Sequence, residues 1–588
     1  MGLLELPHDL LVLVVRHLDV PQLAALSQTC SSLHALVDDY GWPHLARHTS
    51  RPSHSLSKAL SSWPPYEQLK YSVLTDHAWR KNKFAARPLS RPWHGKLQPL
   101  LAINPSRLFV AAGHIIYAYL FVPSPVAGVA PHVKFECSYS LSAGPPHDPR
   151  RDITAIAVAP DGGLDRTLFV GFEHGALQRI FLPAVNKIGS REVYIDSEYK
   201  TPYDYHEGEL VESLSLSGDL LLSLSSSGTA GLLSLSSPPS TTNPDLIDLG
   251  SRGWSSYLSP TTGNAKPSYA AFGLSSTNPL IIHPVLSSTI SVSPSAILSS
   301  SSKERDATGE RRPSAVYAIC GTPPAFPWGA SDRIVVSGWY DGFVHVHDLR
   351  SDRRGSSSSH SSSHSSSSHS HSHSHSSSSE AGSEVNPAPL LPSLSLSDPW
   401  SFEPIYALAT GGGSSSQIAA GSARHSVIAF WDVRSFRTSS PSTSTSYTTP
   451  SPSTSTPGFT TSTSTSYGLG GAVGSSHDRH IPPSSGWSVH APSNDPSPVY
   501  SLILESSRVF GATQSRPFVF DFGPGVGRGT YPALELEVDG GLGGVGGAGG
   551  GGVGGGAGEG EAVFCGGGLG EVGGGEGTRM GRGMGMRG

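Results

Sequence analysis

The apolar residues near the start of the chain follow a helical spacing. Leu10, Leu11, Val14, Val15 and Leu18 recur at intervals of three and four, the pattern of one helix face. Pro7 suits the first turn, where its missing N–H costs nothing. Val12 and Leu13 spread the apolar surface beyond a single stripe, and Asp19-Val20-Pro21 breaks the pattern, because a residue before proline avoids the helical region. A short second helix follows with Leu23 and Leu26, then a third with Cys30, Leu33, Leu36 and Val37. Three short helices cannot bury apolar residues that point in several directions. The pattern predicts a docking element that leans on a partner.

The next segment, 49–95, reads as a helical linker, with a short helix over 67–74 and large apolar anchors at Trp79, Phe84 and Trp93. From 96 the pattern changes to short β-rich runs separated by turns. A three-part rhythm of strand, strand and strand begins at 97–119 and 153–180. It returns near 210–235, 253–290, 315–349, 404–434 and 498–522, the third and fourth copies being the least regular. The clearest copy places 314–319, 333–338 and 341–348 in succession. Three copies close on an aromatic or imidazole ring followed by aspartate: His347-Asp348, Trp431-Asp432 and Phe520-Asp521. A β-sandwich also uses short strands at regular spacing, but it does not explain a repeated glycine–turn–strand–ring–aspartate order. A ring of stacked units does, since one unit cannot bury its faces alone and closing the ring removes most exposed edges.

Composition qualifies this picture in three places. The chain has 588 residues, yet 355–379 is nearly pure serine with interleaved histidine, 437–467 is rich in Ser, Thr and Pro, and glycine dominates beyond 539. Such tracts cannot form a packed core. Disorder is expected over inserts at about 351–398 and 437–495 and over a tail at 539–588. Long excursions of this kind are tolerated as loops, because closing a longer loop costs little extra entropy. The four cysteines, Cys30, Cys137, Cys320 and Cys565, are too scattered for a disulfide framework or a zinc site. Their sparseness favours the cytoplasm or nucleus. No apolar run reaches membrane-spanning length, and a net charge of −6 on so long a chain gives no global support to nucleic-acid or membrane binding.

The N-terminal residues carry a resemblance. Leu6-Pro7, the pair Leu10-Leu11, the pair Val14-Val15, Leu18, Pro21-Gln22-Leu23 and the later Cys30 resemble an F-box in gapless register, with Leu33 where the family often has tryptophan. The resemblance implies docking on a Skp-family adaptor, and through it a cullin–RING ubiquitin ligase, by Leu6, Pro7, Leu10, Leu11, Val14, Val15, Leu18, Pro21 and Leu23. The repeated units resemble degenerate WD repeats, although the usual Gly-His dipeptide at the repeat start is not visible. The expected fold is therefore α plus all-β and multidomain. It comprises a three-helix F-box-like unit at 4–48, the linker at 49–95, and a seven-bladed β-propeller at 96–523, six or eight blades being the alternatives.

No catalytic residue, cofactor site or metal site is assigned. The chain lacks a P-loop, a Rossmann glycine fingerprint, an H-E-x-x-H motif and a nucleophile elbow. His345 and His347 fall on one face of a strand, where a packed pair and a metal-binding pair are both open. Imidazoles of the Ser/His tract suit zinc or copper, but nothing pins their geometry and a solvated linker is the simpler reading. WD-repeat resemblance places the loops between second and third strands at one end of the ring. Those loops carry Glu173, His174, Trp339, Tyr340, Arg424, His425, Gln514 and Arg516, residue types that anchor interfaces or pair with phosphate. The function expected is substrate recognition within a ubiquitin ligase, with a WD-repeat scaffold outside ubiquitination as the alternative. The Arg-Gly tail is a weak RNA signal, and neither nucleic acid nor membrane is expected as a partner.

Overall fold

The computed structural model describes residues 5–49, 51–93, 97–141, 152–185, 189, 192–203, 205–206, 208–236, 244–260, 266–300, 312–322, 331–351, 388–435, 486–492, 495–534 and 563–565. The Ser/His tract, the Ser/Thr/Pro tract and nearly all of the glycine-rich tail lie outside them.

Six α-helices open the chain: α1 His8–Arg16, α2 Val20–Ser27, α3 Ser31–Leu36, α4 Trp42–His48, α5 His54–Leu60 and α6 Pro65–Arg80. Pro7 sits one position before α1 rather than within its first turn, and its carbonyl accepts from Leu10 and Leu11. Asp19 starts α2 through a capping box with Gln22. A π-helical turn, Val37–Gly41, joins α3 to α4. Gly41 is required there, because a Cβ would stand 2.9 Å from both Leu23 and Val15 side-chain carbons. The helical unit does have a core. Leu11, Val12, Val15, Leu23, Leu33, Leu36, Val37 and Trp42 meet Leu69, which α6 contributes from outside the expected 4–48 boundary.

The 67–74 helix is longer at both ends, and the linker does not end at 95 as a helix. Its strand β1, Lys83–Pro88, pairs antiparallel with Pro517–Asp521, Ala85 facing Asp521. Chain from 83 onward therefore belongs to the β domain, and its first strand completes the sheet of its last copy.

That domain is a β-propeller. In each copy the first strand is partly buried, and in six of the seven the second is buried along its length. The runs Arg107–Ala112, Thr167–Phe172, Leu220–Ser225, Ile334–Trp339, Gln417–Ser422 and Arg508–Thr513 show this full burial. Such strands are covered on both faces, which is why they read as continuous apolar or small runs rather than alternating ones. First strands of successive copies stand side by side, from Leu100–Ile103 and Ile153–Val158 round to Val499–Leu504, which adjoins Leu100–Ile103 again. The closing aspartates have a common local task. Asp348, Asp432 and Asp521 each accept from the backbone N–H two residues on, at 2.8–3.0 Å, and so turn the chain out of the third strand.

Seven separate blades are not what is found. Five sheets of four or five strands stand alone, and the copies at 253–298 and 314–397 share one nine-stranded sheet. The strand Tyr269–Ser276 overruns its hairpin partner, and its last residues, Ser275 and Ser276, pair with Ala315 and Ser314 of the next copy. Two expected disordered inserts also give up their ends to strands. Leu394–Ser397 pairs with Phe343–Asp348 and buries Leu394 and Leu396 from a Ser-rich run, and Trp487–His490 pairs with Val427–Asp432. Within the tail, Val563–Cys565 pairs antiparallel with β1.

Candidate partner-binding faces

The helices attach to one end of the propeller. Trp79 of α6 donates its indole N–H to the Ser506 carbonyl at 2.9 Å and lies against Phe522. Tyr71 donates to Ser507 at 3.0 Å, the Ser55 backbone N–H donates to Glu505 at 2.9 Å, and Lys58 reaches Asp165 at 3.0 Å. Arg51, in the loop between α4 and α5, holds α6 by donating to both carboxylate oxygens of Asp76 at 2.7 Å. Residues 505–507 and 159–166 are turns between first and second strands. In an antiparallel unit, turns between second and third strands lie at the other end. The helices therefore cover one face of the ring and leave the opposite face free of them.

On the helical unit, the nine expected adaptor residues divide. Leu11, Val15 and Leu23 are buried in the unit's own core, and Leu6 and Leu18 are half-buried against it. Pro7, Leu10, Val14 and Pro21 are exposed. Leu13, absent from the expected set, is about half exposed at 52% and joins Leu10 and Val14 at the i, i+3, i+4 spacing of a second apolar stripe. The sequence shows leucines and valines round more than one side of α1, and only packing against α3, Trp42 and α6 decides which side turns inward.

Seven of the eight expected loop residues occupy turns at the end of the ring away from the helices. Glu173, His174, Tyr340, Arg424 and His425 are exposed there, and Gln514 and Arg516 are half-buried. Arg424 pairs with Glu403 at 3.7 Å. Trp339 is a correction. It is fully buried, its indole N–H donating to Ser337 at 2.8 Å, because it ends a second strand rather than entering the turn. Gly342 shapes this turn with φ of 83°, and a Cβ there would come within 2.8 Å of the Phe402 backbone. Phe402 and its neighbour Trp400 are among the most exposed large apolar side chains described, at 71% and 77%.

His345 and His347 are both buried. His345 shares a hydrogen bond with Ser395 at 2.9 Å and His347 one with the Ser299 carbonyl at 3.1 Å. Burial pushes both rings well below the usual histidine range, His347 to about 4. They are packed, neutral side chains in the wall between units. Among the described residues no three His, Cys, Asp or Glu side chains gather as a metal set.

A feature unread in the sequence lies at the mouth of the ring. Six first strands slip register near their start, where one residue bulges: Thr154, Glu212, Trp254, Tyr317, Tyr406 and Tyr500. A bulge re-aims its side chain, and these six sit near the end of the ring opposite the helices. Four are aromatic and consecutive. Trp254 meets Tyr317 edge-on with ring centroids 4.9 Å apart, Tyr317 meets Tyr406 at 5.1 Å, and Tyr406 lies 6.4 Å from Tyr500. Tyr340 reaches this arc from its turn, 6.4 Å from Tyr317. Beside Trp254, the Arg252 guanidinium sits 4.0 Å above the indole and 4.0 Å from Glu212. Burial pushes the Glu212 carboxyl up to about 7, against the pull of Arg252. The signal was present as an offset: Gly253-Trp254, Val316-Tyr317, Ile405-Tyr406 and Val499-Tyr500 each set a ring directly after a glycine or β-branched residue near the start of the strand.

The F-box-like family model matches residues 3–48, the span of α1 to α4. Those residues are an F-box-like domain. The chain joins it to a β-propeller. No curated protein matches the chain. Among solved structures, the WD40 β-propeller domain of Doa1 aligns at 9% identity over 76% of this chain and 99% of that one, with a TM-score of 0.40. Sqt1 from Chaetomium thermophilum aligns at 12% identity over 71% and 80%, also at 0.40. The same protein bound to the N-terminus of ribosomal protein L10 aligns at 14% over 56% and 70%, at 0.35. At those scores the likeness carries no weight, and the propeller rests on its own strand pairing. F-box domains in general bind a Skp-type adaptor. In this F-box-like domain Pro7, Leu10, Leu13, Val14 and Pro21 are exposed.

Proposed function

We propose that this chain is a substrate receptor of a Skp–cullin–F-box ubiquitin ligase. The F-box-like domain docks on the adaptor, the propeller holds a target protein, and other subunits supply the chemistry. One observation carries the reading: the F-box-like domain packs on α6, which is fastened to one face of the ring, and the exposed Tyr340, Trp400 and Phe402 lie on the other. A partner on Leu10, Leu13 and Val14 would not compete with one on Tyr340, Trp400 and Phe402. Burying the exposed half of each of the three helical side chains contributes roughly 1 kcal/mol to docking. Function is then positioning, which raises the effective concentration of a target lysine near a charged conjugating enzyme. The cytoplasm or nucleus, where thiols stay reduced, fits that role.

Co-purification tests the proposal. The full chain is expected to bring down a Skp-family protein, and Leu10→Glu with Val14→Glu to lose it while the propeller keeps its target. Retained adaptor binding in that variant overturns the adaptor site. An absence of any adaptor, with partners whose abundance does not change when the chain is removed, leaves a WD-repeat scaffold outside ubiquitination.

A further inference from the structure

We propose that the aromatic mouth of the propeller binds the cationic side chain of an arginine or lysine presented by the target. This rests on reading that face as the target site. Trp254, Tyr317, Tyr406 and Tyr500 stand on adjacent inner strands, each turned by the same bulge. Aromatic faces attract a cation through the ring quadrupole. The mouth already shows that preference, because Arg252 lays its guanidinium on the Trp254 face while its own side chain stays 53% exposed. An incoming guanidinium or ammonium can take the place of that exposed group.

The carboxylates nearby separate a cation from other ligands. Asp495 lies beside Tyr500 but is already satisfied, accepting from the backbone N–H groups of Ser497 and Ser515 at 3.0 and 3.1 Å. Glu212 is not. Its Oε2 is inaccessible to solvent and has no hydrogen-bond partner, and Arg252 stands at the outer limit of an ion pair. A donor arriving between Trp254 and Glu212 supplies the missing hydrogen bond and the missing charge. A phosphate would bring negative charge against Glu212 and against the negative ring faces. A neutral apolar side chain would leave Glu212 as it is.

The test uses the full chain and blocked alanine pentapeptides with one central residue: arginine, lysine, citrulline or phosphoserine. Calorimetric titration is expected to show saturable binding of the arginine or lysine peptide, at least about tenfold tighter than citrulline, which keeps the shape and loses the charge. Glu212→Gln and Tyr406→Ala are each expected to weaken it by about tenfold, and Tyr406→Phe, which keeps the ring, to bind as the parent does. Circular dichroism checks that each variant is folded. Citrulline binding as tightly as arginine overturns the proposal, as does the lack of saturable binding by either cationic peptide. Phosphoserine binding that Glu212→Gln strengthens assigns the mouth to acidic targets instead. Failure of these titrations with adaptor co-purification and target capture intact removes this inference alone, whereas loss of adaptor binding in the parent chain removes the receptor reading and not this one.

Discussion

Trp79 lies flat on Phe522, ring centroids 3.6 Å apart and planes 8° from parallel. The pair ties the last turn of α6 to the end of the propeller's last copy, and Phe430 and Phe84 pack around it. The chain leaves α6 directly into β1, so one indole anchors the helices and the strand that completes the ring. Trp79→Ala removes the stack and the bond to Ser506 together. It is expected to cost about 3–5 kcal/mol. Urea denaturation should show the loss, and limited proteolysis should cut between α6 and β1 sooner than in the parent. An unchanged cleavage rate would show that the helices are held elsewhere.

Position on α1 predicts two opposite behaviours for neighbouring valines. Val14 is 44% exposed and Val15 is 1% exposed. Val15→Ala opens a cavity between Leu23 and Gly41 and is expected to destabilise the F-box-like domain by about 1–3 kcal/mol. Val14→Ala should stay within about 0.5 kcal/mol of the parent. Adaptor affinity should fall for Val14→Ala at unchanged melting temperature. Equal effects on stability would contradict the orientation of α1.

The same helix shows how far the sequence could be read. Its period announces a helix and its composition a docking element, but the inward side of Leu11 and Val15, and of Leu23 on α2, is not legible, because the core that claims them includes Trp42 and Leu69, distant in sequence. Likewise the ring–aspartate endings pointed to a propeller, since Asp348, Asp432 and Asp521 act locally on the next turn. Three other features depend on partners far along the chain and were not legible: β1 closing on Pro517–Asp521, the sheet that Ser275 and Ser276 share with the next copy, and the burial of Trp339. The aromatic arc is intermediate. Its offset can be read in four copies, yet only the bulges show that the offset aims at one place.

Arg508 and Asp521 form an ion pair with both side chains wholly buried, N to O 3.0 Å. Arg508 also donates to the Pro131 carbonyl at 2.6 Å, and Tyr531 donates to Asp521. The pair thus joins the last copy to the first. Asp521→Ala strands a buried guanidinium and is expected to cost about 3–5 kcal/mol. Asp521→Asn, which still accepts from Gly523, should cost less. A double-mutant cycle with Arg508→Met should give a coupling energy of at least about 1 kcal/mol in chemical denaturation, and additivity would show that the ion pair does not act as a unit.

Glu212 predicts how stability depends on pH. Burial raises its carboxyl from 4.5 to about 7, so the folded state holds a proton that the unfolded state has released between those values. The stabilisation from the neutral carboxyl is complete below about pH 4.5 and is lost as pH rises through about 7. Glu212→Gln fixes a neutral group of the same shape beside Arg252 and Trp254. The variant should match the parent at pH 4 and exceed it at pH 8 by up to roughly 3 kcal/mol, less to the extent that Arg252 already offsets the charge. Denaturation midpoints for the two proteins across that range measure the difference. Parallel curves would mean that Glu212 is ionised in the fold throughout, with Arg252 a stronger partner than a 4.0 Å separation provides.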